Sequence, residues 1–318
     1  MENEVTLDAK TIHWERQAIE KLLLADVRER RAARRWRMVK SLLWMLIFGA
    51  LIWLLVSEEL PTGAPAAPHT AMVAIKGEIG DQAEASAELV LPALRSAMED
   101  KGAQAVVLLI NSPGGSPVQA GLINDEIRRL RALHQKPVYA VVEETCASAA
   151  YYIAAAADRI YVDKASIVGS IGVLMDGFGF VDTLNKLGIE RRLMTAGENK
   201  GFLDPFSPQS DRQREFAQKM LDQIHQQFIG AVKQGRGERL KETPEMFSGL
   251  FWTGEQSVQL GLADDFGSLD SVARDVVKAE KLVDYTNKKN LAERFAKRFG
   301  AAMGEGAVAA LRSLPPLR

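Results

Sequence analysis

Residues 105–115, AVVLLINSPGG, decide the fold class of this chain. The first six are an unbroken apolar run, which is typical of a strand buried on both faces of a parallel sheet. The Gly-rich turn that follows leads into a helical pattern over residues 118–133. Further short strands are predicted at residues 72–75, 138–142 and 161–162. Because strands alternate with helices, the sequence predicts an α/β fold with a parallel sheet and right-handed crossovers.

Other segments have helical spacing. Residues 81–99 form one such segment, in which Pro92 is expected to kink or split the helix. The other predicted helices cover residues 148–157, 210–234, 254–261 and 269–282.

The N-terminal part of the chain has the pattern of a membrane anchor. Seven basic residues lie between Arg28 and Lys40, and residues 41–56 (SLLWMLIFGALIWLLV) carry no charge. Such a run is near the lower length limit for a transmembrane helix, and basic residues before it mark the cytoplasmic side. A buried core helix and a cleaved signal sequence are the alternatives, and residues 1–40 ahead of the run argue against the second.

The sequence therefore predicts a basic amphipathic cytoplasmic segment at residues 1–40, a transmembrane helix at residues 41–57 and a linker at residues 58–70. On this interpretation the chain is a single-pass membrane protein, and it lies in the bacterial inner membrane if its source is a Gram-negative bacterium. Its N-terminus is cytoplasmic, and the domain after Ser57 is periplasmic.

Composition excludes several classes of protein. The 318 residues are 47% hydrophobic and 25% charged, an ordinary globular mixture, and the net charge of −1 argues against nucleic acid as a partner. Cys146 is the only cysteine, so no intramolecular disulfide or cysteine-based metal cluster can form. We expect Cys146 to be buried, and we predict no metal or cofactor.

Two turns that follow buried strands contain candidate catalytic or binding residues. In residues 111–115 (NSPGG), Gly114 and Gly115 let the backbone turn sharply and expose N–H groups that could hold a phosphate or an oxyanion. A plain βα turn is the alternative. In residues 145–152 (TCASAAYY), Ser148 lies at a helix start among small residues, as either a nucleophile or an ordinary N-cap.

A serine nucleophile needs a base. None of the four histidines lies in a Gly-rich turn, and each is interpreted as a surface residue: His13, His69, His134 and His225. A Ser-His-Asp triad is therefore disfavoured, although it stays an alternative. A lysine can act as base only when it is neutral, and that requires desolvation because the ordinary lysine pKa is about 10.4. Lys200 has apolar neighbours in the sequence, although the composition of its segment by itself indicates a lysine in a surface loop.

Several motifs in order resemble the half-length bacterial signal peptide peptidase A family, including its SohB-like relatives. They are NSPGG at 111–115, the Ser148 turn with Tyr151-Tyr152, AAD at 156–158, GSIGV at 169–173, Lys200, GEQS at 254–257 and LGLAD at 260–264. The likeness covers roughly residues 71–283. It identifies them as a peptidase domain, which leaves residues 284–318 as a C-terminal tail.

This resemblance implies a ClpP/crotonase-like fold of repeated ββα units and serine endopeptidase activity through a Ser-Lys dyad. It places the nucleophile on Ser148 and the base on Lys200, in a loop after a strand near residues 192–195. Ser170 corresponds to the residue that orients the lysine.

The turn at Gly114 and Gly115 corresponds to the one whose N–H groups line the oxyanion hole. Half-length members of the family form homo-oligomeric rings in which neighbouring protomers complete one active site. Where many relatives have Gly-Gly after the nucleophile, this chain has Ala149-Ala150.

The substrates expected from this resemblance are apolar peptides such as signal peptide remnants held near the membrane. Two other function classes stay open, because a shared fold does not fix an activity. One is a non-catalytic, ring-forming assembly protein, and the other is a crotonase-type acyl-CoA enzyme.

Overall fold

The computed structural model describes residues 36–50 and 67–287, which belong to two compact units, residues 1–64 and 65–318. In the first unit, residues 36–50 form an exposed helix, α1. Within these two described ranges, no helix combines the length and apolar character needed to cross a membrane. The predicted transmembrane helix at 41–57 lies partly outside the described residues. The predictions for residues 1–35, for most of the linker and for the tail from residue 288 lie outside them as well.

The second unit is built on one eight-stranded sheet. Its strands are β1 His69–Lys76, β2 Ala103–Ser112, β3 Val138–Ala147, β4 Arg159–Val162, β5 Ile167–Gly169, β6 Phe251–Thr253, β7 Asp265–Phe266 and β8 Leu282–Asp284. The main path is β6-β5-β3-β2-β1-β8, and β4 pairs with the first half of β3 and with β7. All pairs are parallel except β5–β6. The predicted α/β fold with a parallel sheet is confirmed, and the carboxyl ends of β2, β3 and β5 lie side by side.

The apolar run of β2 is buried because both faces of the sheet are covered. Val106, Leu108 and Ile110 belong to the large core beneath the helices, whereas Val107 and Leu109 belong to a smaller cluster on the other face. Alternate side chains of a strand point to opposite faces, so a continuous apolar run satisfies both clusters.

The helices of this unit are α2 Ala87–Glu99, α3 Pro117–His134, α4 Ala149–Ala154, α5 Val181–Lys186, α6 Asp211–Arg236, α7 Gly254–Gln259 and α8 Leu269–Ser271. The start of α3 is fixed by Ser116, whose Oγ accepts the Gln119 N–H, and by proline at the first position, where no N–H is needed. The predicted long helix is confirmed as α6, which starts with a capping box between Ser210 and Gln213.

Four local predictions are wrong. The helix predicted over residues 81–99, with a kink or break at Pro92, begins only at Ala87 as α2 and is continuous through Pro92. Residues 192–195 form no strand, since they are exposed and pair with no neighbouring strand. The helix predicted over 269–282 ends as a π-helix at Val272–Val277, because residues 282–284 pair with β1 instead. His69 belongs to β1 rather than to a linker, and it is buried.

Candidate active site

Ser148 lies at the sharp turn between β3 and α4. Its backbone is left-handed, with φ 52° and ψ −124°, a conformation that costs a non-glycine residue about 1–3 kcal/mol. The turn is held by two hydrogen bonds, from Ser148 N–H to the Gly169 carbonyl (2.8 Å) and from Tyr152 N–H to the Ser148 carbonyl (3.0 Å). Its side chain does not cap α4, and Oγ has no hydrogen-bond partner among the described residues. The ordinary N-cap role is therefore absent, which leaves the hydroxyl free for chemistry.

The glycine turn after β2 packs directly against Ser148. Gly114 has φ 109°, and a Cβ placed on it would lie 2.6 Å from Ser148 Cβ and 2.9 Å from the Ala147 carbonyl oxygen. Gly115 has φ 143°, and a Cβ there would lie 2.1 Å from the Ile79 carbonyl oxygen. Only glycine fits at either position, because both the backbone angle and the close approach exclude a side chain.

Two backbone N–H groups beside Ser148 are available as donors. Gly115 N–H makes no hydrogen bond to another described residue, and neither does Ala149 N–H at the start of α4. Gly115, Ser148 and Ala149 all line the same cleft, so both groups border one space. Gly114 N–H instead donates to Ser112 Oγ at 3.2 Å. Ala149 was not among the site residues predicted from the sequence, although the first N–H of any helix has no intrahelical acceptor.

Ser170 reaches the same place from β5. It also has a left-handed backbone, with φ 51°, and its N–H donates to the Leu250 carbonyl at 2.8 Å. The preceding residue, Gly169, accepts the Ser148 N–H. The structure therefore brings Ser148, Gly115 and Ser170 to one cleft.

This cleft has a volume of about 600 Å³. Its wall is mainly apolar and is formed in large part by Pro113, Pro117, Tyr152, Val173, Leu174, Ile224 and Phe228. A peptide with apolar side chains would bury them against this wall, whereas a charged side chain would lose its hydration there without a partner.

Lys200 does not line the cleft in a single chain. It is exposed, in a turn where its N–H donates to the Gly197 carbonyl at 3.1 Å. It belongs to residues 173–209, the segment between β5 and α6, which we call the arm. The pairing of Ser148 with Lys200 stays a prediction.

The arm exposes an unusual amount of apolar surface. Leu174 is 82% exposed and Met194 is 95% exposed. The other large hydrophobic side chains of the arm that are exposed are Met175, Phe178, Phe180, Leu187, Ile189, Leu193 and Phe206. Apolar exposure concentrated in one segment in this way is typical of an interaction surface.

The histidines and the cysteine are placed as follows. His225 on α6 is half-buried, with Nε2 3.1 Å from the Ile171 carbonyl oxygen. His69 is buried beside Tyr285, so the interpretation of both as surface residues is wrong. Cys146 is buried as predicted, and burial raises the pKa of its thiol.

A protein-family model, that of peptidase family S49, matches residues 131–284. The matched region contains Ser148, Ser170 and Lys200, and the Gly114–Gly115 turn precedes it. The chain is also similar to serine protease SPPA of Arabidopsis thaliana, with 28% identity over 221 residues. That alignment covers 69% of this chain and 32% of the plant protein.

Two bacterial relatives add to this comparison. Protease 4 of Haemophilus influenzae is 30% identical over 218 residues, 67% of this chain and 35% of that protein. A protein of Brucella melitensis named Na(+)/H(+) antiporter NhaA is 49% identical over 181 residues, 57% of this chain. The chain spans a quarter of that protein and about a third of the two proteases, so most of each relative lies outside the match.

Proposed function

This chain belongs to the peptidase S49 family of SppA-type peptidases, and we propose on that premise that it is a serine endopeptidase cleaving apolar peptides, with Ser148 as nucleophile and Lys200 as general base. The observation that carries the proposal is the free Ser148 hydroxyl, held on a strained turn in an apolar cleft beside two unbonded N–H groups. Backbone strain at a functional group is sustained only where the surrounding structure enforces it.

The proposed reaction begins when Ser148 Oγ attacks the peptide carbonyl carbon and neutral Lys200 takes the hydroxyl proton. The negative charge on the carbonyl oxygen is stabilised by Gly115 N–H and Ala149 N–H, and donors of this kind contribute about 2.7–4 kcal/mol each. Gly114 N–H would have to leave Ser112 Oγ to take part. Lys200 then protonates the leaving nitrogen as the C–N bond breaks. Water hydrolyses the resulting acyl ester and restores Ser148.

The base is proposed to come from a second copy of the chain. Burial away from water favours the neutral amine that a lysine base needs, and Lys200 is exposed in one protomer. The apolar surface of the arm favours burial against another protomer, which would also desolvate the lysine. A head-to-tail contact repeated around a closed ring would give every Ser148 a neighbouring Lys200.

Membrane attachment is the second part of the proposal. The uncharged run at residues 41–56 and the basic cluster before it favour a single span, with residues 1–40 cytoplasmic and the peptidase domain on the other side. Such an anchor would hold the cleft near apolar peptides that partition into the bilayer, including remnants of signal peptides.

The test is hydrolysis of casein and of an apolar fluorogenic peptide by the full chain in a mild detergent. We expect Ser148→Ala and Lys200→Ala to abolish cleavage, and Lys186→Ala, which removes another exposed lysine of the arm, to keep it. Retained cleavage in either of the first two variants would contradict the dyad.

Mixing the two inactive variants tests where the lysine comes from. If subunits are scrambled at equal ratio, a site shared between protomers has both intact residues in about a quarter of cases, so about a quarter of the activity should return. A dyad within one chain leaves the mixture inactive, because no protomer then carries both residues.

A further inference from the structure

A second cavity lies at the opposite edge of the sheet from Ser148. It has a volume of about 520 Å³, and we call it the arginine trough. Arg159 is the first residue of β4, so the trough lies at the amino-terminal edge of the parallel sheet, whereas Ser148 follows the carboxyl end of β3. The charged residues that line the trough are Arg128, Arg131, Arg159, Arg239, Asp158 and Asp264.

The trough has more cations than carboxylates. Four arginines face two aspartates, an excess of two positive charges. Arg131 pairs with Asp158, and Arg239 pairs with Asp264 at 3.0 Å. Within the described part of the chain, Arg128 and Arg159 make no ion pair. These two guanidinium groups therefore have no carboxylate within ion-pair distance, although Asp125 and Asp264 lie near enough to interact with Arg128 and Arg159, respectively.

Arg128 is the more constrained of these two. It is half-buried, and it donates only to neutral oxygens, Asn124 Oδ1 at 2.7 Å and the Ala231 carbonyl at 3.1 Å. Burial and the neighbouring charge of Arg131 lower the pKa of its guanidinium. An anion placed between Arg128 and Arg131 would reduce the repulsion between the two guanidinium groups. It would also accept hydrogen bonds from Arg128 in place of the water lost on burial.

We propose that the arginine trough binds a phosphate-bearing anion, supplied by the headgroup of an anionic phospholipid or by free phosphate. Guanidinium groups donate two parallel hydrogen bonds to phosphate, which makes arginine the preferred cation for this ligand. This proposal does not depend on peptidase activity.

The trough lies near the start of the described part of this domain. Strand β1 begins at the same edge, since it is parallel to β2, β3 and β4. β1 and β4 are three strand spacings apart, or about 14 Å. The described part of this domain thus begins near the trough, and the uncharged run at residues 41–56 precedes it in the sequence.

The arginines also have an ordinary structural role. Arg131 donates to the Ala156 carbonyl at the end of α4, and Arg239 donates to the Gly235 carbonyl near the end of α6. Cations at these carbonyls stabilise helix ends. These contacts account for Arg131 and Arg239, but not for Arg128 and Arg159, which have no carboxylate within ion-pair distance. A purely structural role would give no response to phosphate.

The test measures binding by the full chain in neutral detergent. One probe is sodium phosphate, compared with sodium chloride at equal ionic strength. The other is micelles doped with phosphatidylglycerol, compared with phosphatidylcholine. Titration calorimetry and thermal melting are the readouts. Arg159→Gln is the main variant because its side chain is exposed, Arg128→Gln is the second, and Arg274→Gln removes an exposed arginine outside the trough as the control.

We expect the dissociation constant for the responding probe to rise about ten-fold in Arg159→Gln and to stay unchanged in Arg274→Gln. A response to phosphatidylglycerol alone identifies the lipid as the source, a response to phosphate alone identifies the free anion, and a response to both supports recognition of the phosphate group itself. The proposal is overturned if neither probe binds, or if Arg159→Gln and Arg274→Gln bind alike. Because Arg159 is exposed, this comparison remains decisive even if Arg128→Gln fails to fold.

Discussion

Gly114→Ala tests how tightly the glycine turn holds the proposed nucleophile. The added methyl would lie 2.6 Å from Ser148 Cβ, whereas non-bonded carbon atoms prefer about 3.5–4.0 Å. One of the two must therefore move by about 1 Å, and a displacement of that size at a reacting group lowers the rate about 100-fold. An alanine at this backbone angle, φ 109°, would also destabilise the folded state by about 1–2 kcal/mol relative to glycine.

We expect Gly114→Ala to lower kcat about 100-fold and the free energy of unfolding by about 1–3 kcal/mol. Peptide hydrolysis and urea unfolding measure the two effects, and circular dichroism verifies the fold. Gly121→Ala in α3 is the matched control, since a Cβ there meets nothing within 4 Å. Its activity should be unchanged and its stability raised by up to about 1 kcal/mol. Equal peptide hydrolysis by the two variants would show that close contact at Gly114 does not hold Ser148 in its reactive position.

Three further outcomes follow from buried groups. The Cys146 thiol is fully buried, so iodoacetamide should label it only after unfolding; labelling of the native protein would contradict its burial. The Arg129 guanidinium holds the pKa of Glu126 at about 2 against an ordinary 4.5, so this pair stabilises the fold above pH 4.5 and the benefit is lost as pH falls toward 2. Glu126→Gln should flatten the stability profile over that range, as followed by urea unfolding at each pH. Asp264→Ala leaves Arg236, which is 2% exposed, without its carboxylate partner and should cost about 3–5 kcal/mol in the same measurement.

The strands of the fold could be predicted because their signal is local. The run at residues 105–110 is apolar at every position, which is typical of a strand covered on both faces, and a Gly-rich turn ends it after only a few residues. The region after residue 269 was harder, because the pairing of Leu282–Asp284 with β1 spans more than two hundred residues of sequence. Helical spacing carries no information about such a distant partner.

The candidate site divides in the same way. Gly114, Gly115 and Ser148 could be identified as a group because two buried strands end in small-residue turns, and adjacent parallel strands bring such ends together. The burial of His69 could not be foreseen, because it depends on Tyr285 and Asp100 from distant parts of the chain. The distance between Lys200 and Ser148 could not be predicted from the sequence either, because Lys200 lies in an exposed turn outside any helix or strand.

The two halves of the proposed site differ in how they are held. Ser148 and Ser170 each have a strained left-handed backbone, and strand pairing and hydrogen bonds hold both in place within one chain. Lys200 has no such support and lies on an exposed arm with an apolar surface. If a second protomer covers the arm, the contact that buries its apolar side chains also removes water from the lysine amine. Assembly and activation of the base would then be one event, which would leave an isolated chain with a formed nucleophile but no base to deprotonate it.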